Sequence, residues 1–179
     1  MNLEERRAMG WQYDSNLSKV EWAIGYLGIA TIKGRFTKVQ ANLNLDAPDP
    51  SKWSVQASIE VASLSTGFDQ LDDHVRSGDF LDVEHYLVMT FQSTRVEPRN
   101  DHYVLVGDLM LRGVTLEIVL DASYGGEATD TRGRSKRGFS ASTNLKRSDF
   151  GIPAMAYGKP LVVGEEVQVT IEVVAGQVE

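Results

Sequence analysis

Between His74 and His85 the chain reads HVRSGDFLDVEH, placing two imidazoles near Asp79, Asp82 and Glu84. Nitrogen and oxygen donors of these types hold zinc or iron when they converge on one point. Convergence on a helix face needs ligands four residues apart, and no pair among His74, His85 and His102 has that spacing. The HExxH signature is absent as well. A metal-assisted enzyme built on His74, Asp79 and His85 is therefore one alternative. The simpler reading gives His74 a structural hydrogen bond at a helix end and leaves His85 solvated, with no metal and no cofactor.

The acidic trio Asp69, Asp72 and Asp73 lacks the alternating ligands, turn glycine and closing glutamate of a calcium loop. Acidic residues early in a helix complement its dipole, and that role is sufficient for them. No GxSxG elbow, no GxxxxGK[ST] loop and no GxGxxG turn occurs, so the motif search yields no catalytic residue. Arg132, Arg134, Lys136 and Arg137 form the one concentrated basic run. Such a run suits a phosphate or an anionic surface, but on a hairpin loop it is more commonly a solvated face. Without interleaved aromatic residues it does not suit single-stranded nucleic acid.

The elements that must position any site are strands, because apolar residues recur at every second position. KVEWAIGY sets Val20, Trp22, Ile24 and Tyr26 on one face, and SVQASIEV does the same with Val55, Ala57, Ile59 and Val61. VTLEIVLDASY and VQVTIEVV repeat the pattern, each buried on one face and wet on the other, as in antiparallel sheets. Further strands are expected near 31–45, with a bend at Gly34, and near 88–97, 102–111 and 137–145. Arg112-Gly113 reads as a two-residue hairpin turn, EPRND as the link at 97–101, and 125–136 as a longer polar loop. In STGFDQLDDHVRS, Phe68, Leu71 and Val75 fall at helical spacing, and Thr66 with Asp69 resembles a capping pair. A short helix over 67–77 follows, inserted between two strands. About eight strands with short links predict an all-β barrel or sandwich.

The chain has 179 residues, so it makes one domain over 11–175 with a short N-terminal extension over 1–10. A net charge of -7 argues against a general nucleic-acid partner. There is no cysteine, which removes disulfides, thiolate metal sites and cysteine nucleophiles. No run approaches the ~20 apolar residues of a membrane-spanning helix. MNLEERRAMG lacks an apolar signal core, so a cytoplasmic location is expected.

Seven phrases, taken in order, carry a resemblance: YLGIATIKGRF, ASIEVASLSTG, DDHVRSGDFLDVEHY, MTFQSTRVE, VGDLMLRGVTLEIVLDASYGG, RGFSASTNLKRSDFGI and VGEEVQVTIEV. Together they resemble the YceI-like family of lipocalin-like, polyisoprenoid-binding proteins, from about Trp11 to Val174. The resemblance implies an eight-stranded antiparallel barrel with an inserted helix, a non-enzymatic role, and often a homodimer. It also implies an elongated apolar interior for an isoprenoid or other long-chain lipid of polyprenyl or quinone type. Strand face and motif position together nominate Trp22, Ile24, Tyr26, Phe36, Phe80, Phe91 and Leu116 as lining, with Phe150, Met155 and Tyr157 near a mouth. Three features depart from the family pattern: Tyr26 where histidine is usual, Leu87 where proline is usual, and FGIPAMAYGKP in place of a tryptophan-bearing ending. On the residues alone, a barrel filled by its own side chains and serving protein interaction stays open beside the lipid reading.

Overall fold

The alternating segments pair in sequence order, and the last pairs back onto the first. The computed structural model describes residues 10–153, 155–156, 159–160 and 163–178, with 155–156 and 159–160 as backbone only. The first stave is β1 (Trp11–Tyr13) and β2 (Lys19–Tyr26), the second is β3 (Ala30–Phe36) and β4 (Val39–Asn44), and the third is β5 (Ser54–Glu60) and β6 (Leu64–Ser65). After the helix α1 (Asp69–Arg76) come single long strands: β7 (Val88–Pro98), β8 (Tyr103–Leu111), β9 (Val114–Thr129) and β10 (Ser135–Lys146). A small separate hairpin, β11 (Met155–Ala156) with β12 (Lys159–Pro160), precedes β13 (Val163–Gln177). On one side β13 pairs with β10; on the other it pairs with β2 (Gln168 opposite Ala23) and with β1 (Gln177 opposite Trp11). The result is a closed, antiparallel, eight-stranded barrel with one short helix. Closure removes the free edges that a meander of this length would otherwise expose.

No register shift marks Gly34 in the long second strand, and it pairs directly opposite Trp22. The strand breaks at Thr37-Lys38, where Ser63 supplies replacement acceptors. The Thr37 N–H and Oγ1–H both donate to the Ser63 carbonyl, at 3.2 and 3.1 Å, and the Lys38 N–H donates to Ser63 Oγ at 3.1 Å. Ser63 itself ends a 3-10 turn over Val61–Ser63 that divides β5 from β6, so the second and third staves break side by side. The first stave breaks at Asp14, whose Oδ1 accepts from the Asn16 and Leu17 N–H groups at 3.0 and 3.2 Å. Burial pushes the Asp14 carboxyl up, but these donors and Lys136 outweigh it and hold the group below its ordinary range. A backbone can leave the ladder only where other partners meet its polar groups.

Two other expectations shift. The 125–136 stretch is mostly strand, with β9 and β10 paired out to Thr129 opposite Ser135. Gly125 and Gly126 make a bulge: Gly126 pairs with Gly138 and Tyr124 with Phe139, leaving Gly125 extra. The helix cap also differs from the expected pair. Phe68 occupies the cap position without a side-chain bond, and Asp72 is the partner of Thr66. One Asp72 oxygen accepts from the Thr66 N–H at 2.7 Å and from its hydroxyl at 2.6 Å. The Arg112-Gly113 turn has φ of 51° and 72°, as a two-residue hairpin requires.

The dense core lies at the helix end of the barrel. Val61, Met89, Leu109, Leu111, Phe150 and Ile152 are buried together there, with Phe80, Leu81 and Val83 of the helix connector packed on them. Three arginines bind this floor to main-chain carbonyls. Arg76 donates to Ala62 and Leu64, Arg112 to Gly78 and Gly151, and Arg147 to Pro153, Val163 and Gly164.

Candidate functional site

Above the floor the barrel is not filled. The strand pattern already shows it, because the inward residues of β4, β5 and the first half of β9 are nearly all half-buried, with Leu120 alone among them fully buried. The open lumen measures about 250 Å³ and runs from Trp22, Met89 and Leu109 to Leu45, Trp53 and Tyr124. Its wall is overwhelmingly apolar side chain.

Small residues on facing walls create the space. Ala41 of β4 sits directly opposite Ala57 of β5, and Ala122 of β9 opposite Ala141 of β10; all four line the lumen. These pairs occupy the second and third staves and the sixth and seventh, on opposite sides of an eight-membered ring. Alanine is poor at filling a pleated surface, so two such pairs leave a gap that leucines would have closed.

Aromatic residues cluster at the end away from the floor. Tyr124 and Phe139 stack at 5.2 Å, and Trp53 meets both edge-on at 5.2 and 5.7 Å. The Trp53 indole N–H donates to the Ala47 carbonyl at 2.7 Å, fixing the ring. Arg137 covers the group, 4.1 Å from the Trp11 ring and 5.4 Å from Trp53, while donating to the Leu45 carbonyl at 2.7 Å and to Glu127 at 2.9 Å. Tyr13 also lines the lumen, and burial raises its phenol above the ordinary value, so it stays neutral near pH 7. The basic run is largely engaged: Arg134 with Asp130, Lys136 with Asp14, and Arg137 as described.

Of the nominated lining residues, Trp22, Phe36 and Phe91 stand in the lumen wall. Ile24 is buried lower in β2, and Tyr26, at the end of that strand, lies outside the wall. Phe80, Leu116 and Phe150 pack in or against the floor. They are apolar for the reason the lining is apolar, and alternation alone does not separate the two ends of one barrel. Met155 lies in β11 with its side chain outside the described residues, and Tyr157 lies outside them altogether. The alanine pairs and the Trp53 cluster were not nominated; small residues at inward strand positions were the available signal for the pairs.

The histidines do not converge. His74 Nε2 lies 3.2 Å from Asp79, and His85 Nδ1 lies 2.8 Å from Asp82, a bond that raises the His85 pKa. Among the described residues no three histidine, aspartate or glutamate side chains are grouped as metal ligands would be.

The sequence profile of the YceI-like domain matches residues 11–175. The chain belongs to the YceI-like family. The UPF0312 protein of Serratia proteamaculans is 38% identical over 133 residues, covering 74% of this chain and 69% of that protein. The YceI protein of Campylobacter jejuni shares 31% identity at a TM-score of 0.74, covering 84% of this chain and 88% of that one. Burkholderia cenocepacia BcnA superposes with a TM-score of 0.81 at 24% identity, over 91% of this chain and 99% of its own. A polyisoprenoid-binding domain from Saccharophagus degradans shares the fold, with a TM-score of 0.69 at 13% identity over 96% of this chain and 99% of its own.

In this YceI-like barrel the Trp22 ring rests where Gly34 has no side chain. A Cβ at Gly34 would stand 2.4 Å from Trp22 Cζ2 and 2.6 Å from Cε2, closer than carbon atoms approach. Gly34→Ala is therefore expected to cost about 1–3 kcal/mol of stability, as overpacking does. Urea denaturation gives the cost, and a shift in tryptophan emission reports the displaced ring.

Proposed function

We propose that the lumen binds an isoprenoid chain or a similarly elongated apolar lipid, and that the protein carries or stores it without chemical change. The observation that carries this reading is the open apolar lumen itself, walled by opposed alanine pairs. Burial of apolar area supplies the affinity, at about 25 cal/mol per Å², and asks for no catalytic group. Membership in the YceI-like family, and the fold shared with a polyisoprenoid-binding domain, support the same reading. A lumen of about 250 Å³ is slightly below the roughly 300–1,000 Å³ of drug-sized ligand sites. It fits a slender chain of a few isoprene units, or a segment of a longer one.

Organic extraction of the protein purified under native conditions, followed by mass spectrometry, is expected to recover an isoprenoid lipid in near-stoichiometric amount. Recovery of none, together with no uptake of a fluorescent polyprenyl probe, would remove this function.

A further inference from the structure

Both ends of the lumen are tied by several bonds, but one stretch of its wall is not. The ladder between β9 and β10 runs from Thr129 opposite Ser135 to Asp121 opposite Ser142, and among the described residues it stops there. Below that point β9 continues over 114–120 and β10 over 143–146. Each strand keeps its other neighbour. Pairing of β9 with β8 reaches Val114 opposite Leu111, and pairing of β10 with β13 reaches Lys146 opposite Glu166. The barrel wall therefore has a seam, where two adjacent strands are not laddered to each other.

One side chain bridges the seam. Continuing the register past Asp121 and Ser142 would set Asn144 opposite Val119, yet the Val119 carbonyl accepts from the Thr143 hydroxyl at 2.9 Å. On the outer face a cleft of about 340 Å³ lies over this point, lined by Val119, Asp121, Ser142, Thr143, Asn144 and Gln168. On the inner face Ile118 and Leu120 of β9 and Thr143 and Leu145 of β10 line the lumen. Thr143 alone among the described residues lines both, so its side chain is what stands between cleft and lumen. The cleft admits water to the unladdered backbone groups, which need such partners.

We propose that this seam is a lateral portal: the guest's chain passes into the lumen between β9 and β10, and the Thr143 hydroxyl is the latch. This rests on the lipid-binding reading and adds a route to it. Passage through the aromatic end must displace Arg137 from Trp11 and Trp53, together with its bonds to Leu45 and Glu127. The floor is packed and held by Arg76, Arg112 and Arg147. Parting two strands elsewhere in the wall strips a run of ladder bonds from both. At the seam those bonds are already absent, and the bond from Thr143 to Val119 is the one to break. A latch of this kind acts on rates. It closes behind the guest as it closes over the empty lumen, so its loss speeds uptake and release together and leaves affinity in place.

The test uses the whole protein and a fluorescent farnesyl probe, with uptake followed by stopped flow and release by dilution. The chain has no cysteine, so Val119→Cys/Asn144→Cys introduces a lone thiol pair that can staple the seam. The oxidised variant is expected to take up and release the probe about tenfold more slowly than the same protein reduced, as a blocked gate should, at unchanged affinity. A second pair, Ser123→Cys/Ser140→Cys, staples the same two strands where they are already laddered, and its oxidation is expected to leave both rates unchanged. Equal rates in the oxidised and reduced seam variant, or equal slowing by the second staple, overturns the portal and leaves the lipid-binding reading standing. Failure of the wild type to bind the probe overturns both. Should the seam disulfide not form, Thr143→Val decides alone. It keeps the size of the side chain and removes the hydroxyl. Uptake is expected to quicken about fivefold, the factor set by one neutral hydrogen bond of about 1 kcal/mol. Uptake at the wild-type rate would then overturn the portal.

Discussion

Arg147→Ala is expected to lower the unfolding free energy by about 3–4 kcal/mol, although it removes no apolar core residue. Arg147 is only 4% exposed. Its Nε–H donates to Gly164 at 2.8 Å, one terminal nitrogen to Val163 at 3.2 Å, and the other to Pro153. Truncation strands three carbonyls in a part-buried site, at about 1 kcal/mol or more each. The aliphatic stem's packing is lost as well. Arg147→Lys is expected to recover little, because one ammonium cannot span carbonyls that a planar fork reaches together. Urea melts of the three proteins check the ranking. Hydrogen exchange should show the loss concentrated in the first residues of β13, which Arg147 holds against the floor. An alanine variant within 1 kcal/mol of wild type would show that water takes over the carbonyls freely.

That arginine also marks how far the sequence was legible. The strands could be read because burial on one face writes a period of two into the chain, and the tight turn could be read because Arg112-Gly113 must take positive φ. Strand number and short links left barrel and sandwich both open, and the family resemblance was what pointed to closure. The inaccurate points were those decided by single polar atoms. Ser63 places the break of the second stave at Thr37-Lys38, and Asp72 takes the role expected of Asp69. Arg76, Arg112 and Arg147 donate to carbonyls far away in sequence or across a turn, and no local pattern predicts such partners.

The site divides in the same way. Trp22, Phe36 and Phe91 stand in the lumen wall, the two phenylalanines also touching the floor, whereas Phe80, Leu116 and Phe150 pack at the floor alone, yet all six are apolar residues of the barrel interior. Height along the barrel axis depends on the stagger between strands, and alternation carries no information about stagger. What distinguishes lumen from floor is side-chain volume. Ala41, Ala57, Ala122 and Ala141 face inward where large residues would be the better strand formers, and their pairing becomes visible only with the register in hand.

Those alanines carry the second large prediction. Ala141→Phe is expected to weaken binding of a polyprenyl probe by roughly 70-fold while leaving the fold intact. The new ring would occupy lumen and remove about 100 Å² of guest contact, worth about 2.5 kcal/mol at ~25 cal/mol per Å². Filling a genuine gap should hold stability level or raise it by about 1 kcal/mol. In a well-packed wall the same change costs 1–3 kcal/mol and has no guest to displace. A destabilised Ala141→Phe with unaltered probe binding would therefore mean that the guest sits elsewhere. Ala57→Phe, on the opposite wall, repeats the test from the other side. The double variant should fall well short of the sum of the two losses, since either ring alone already excludes the guest from one shared lumen. Full additivity would instead require two independent subsites, which a single lumen walled by both alanine pairs does not provide.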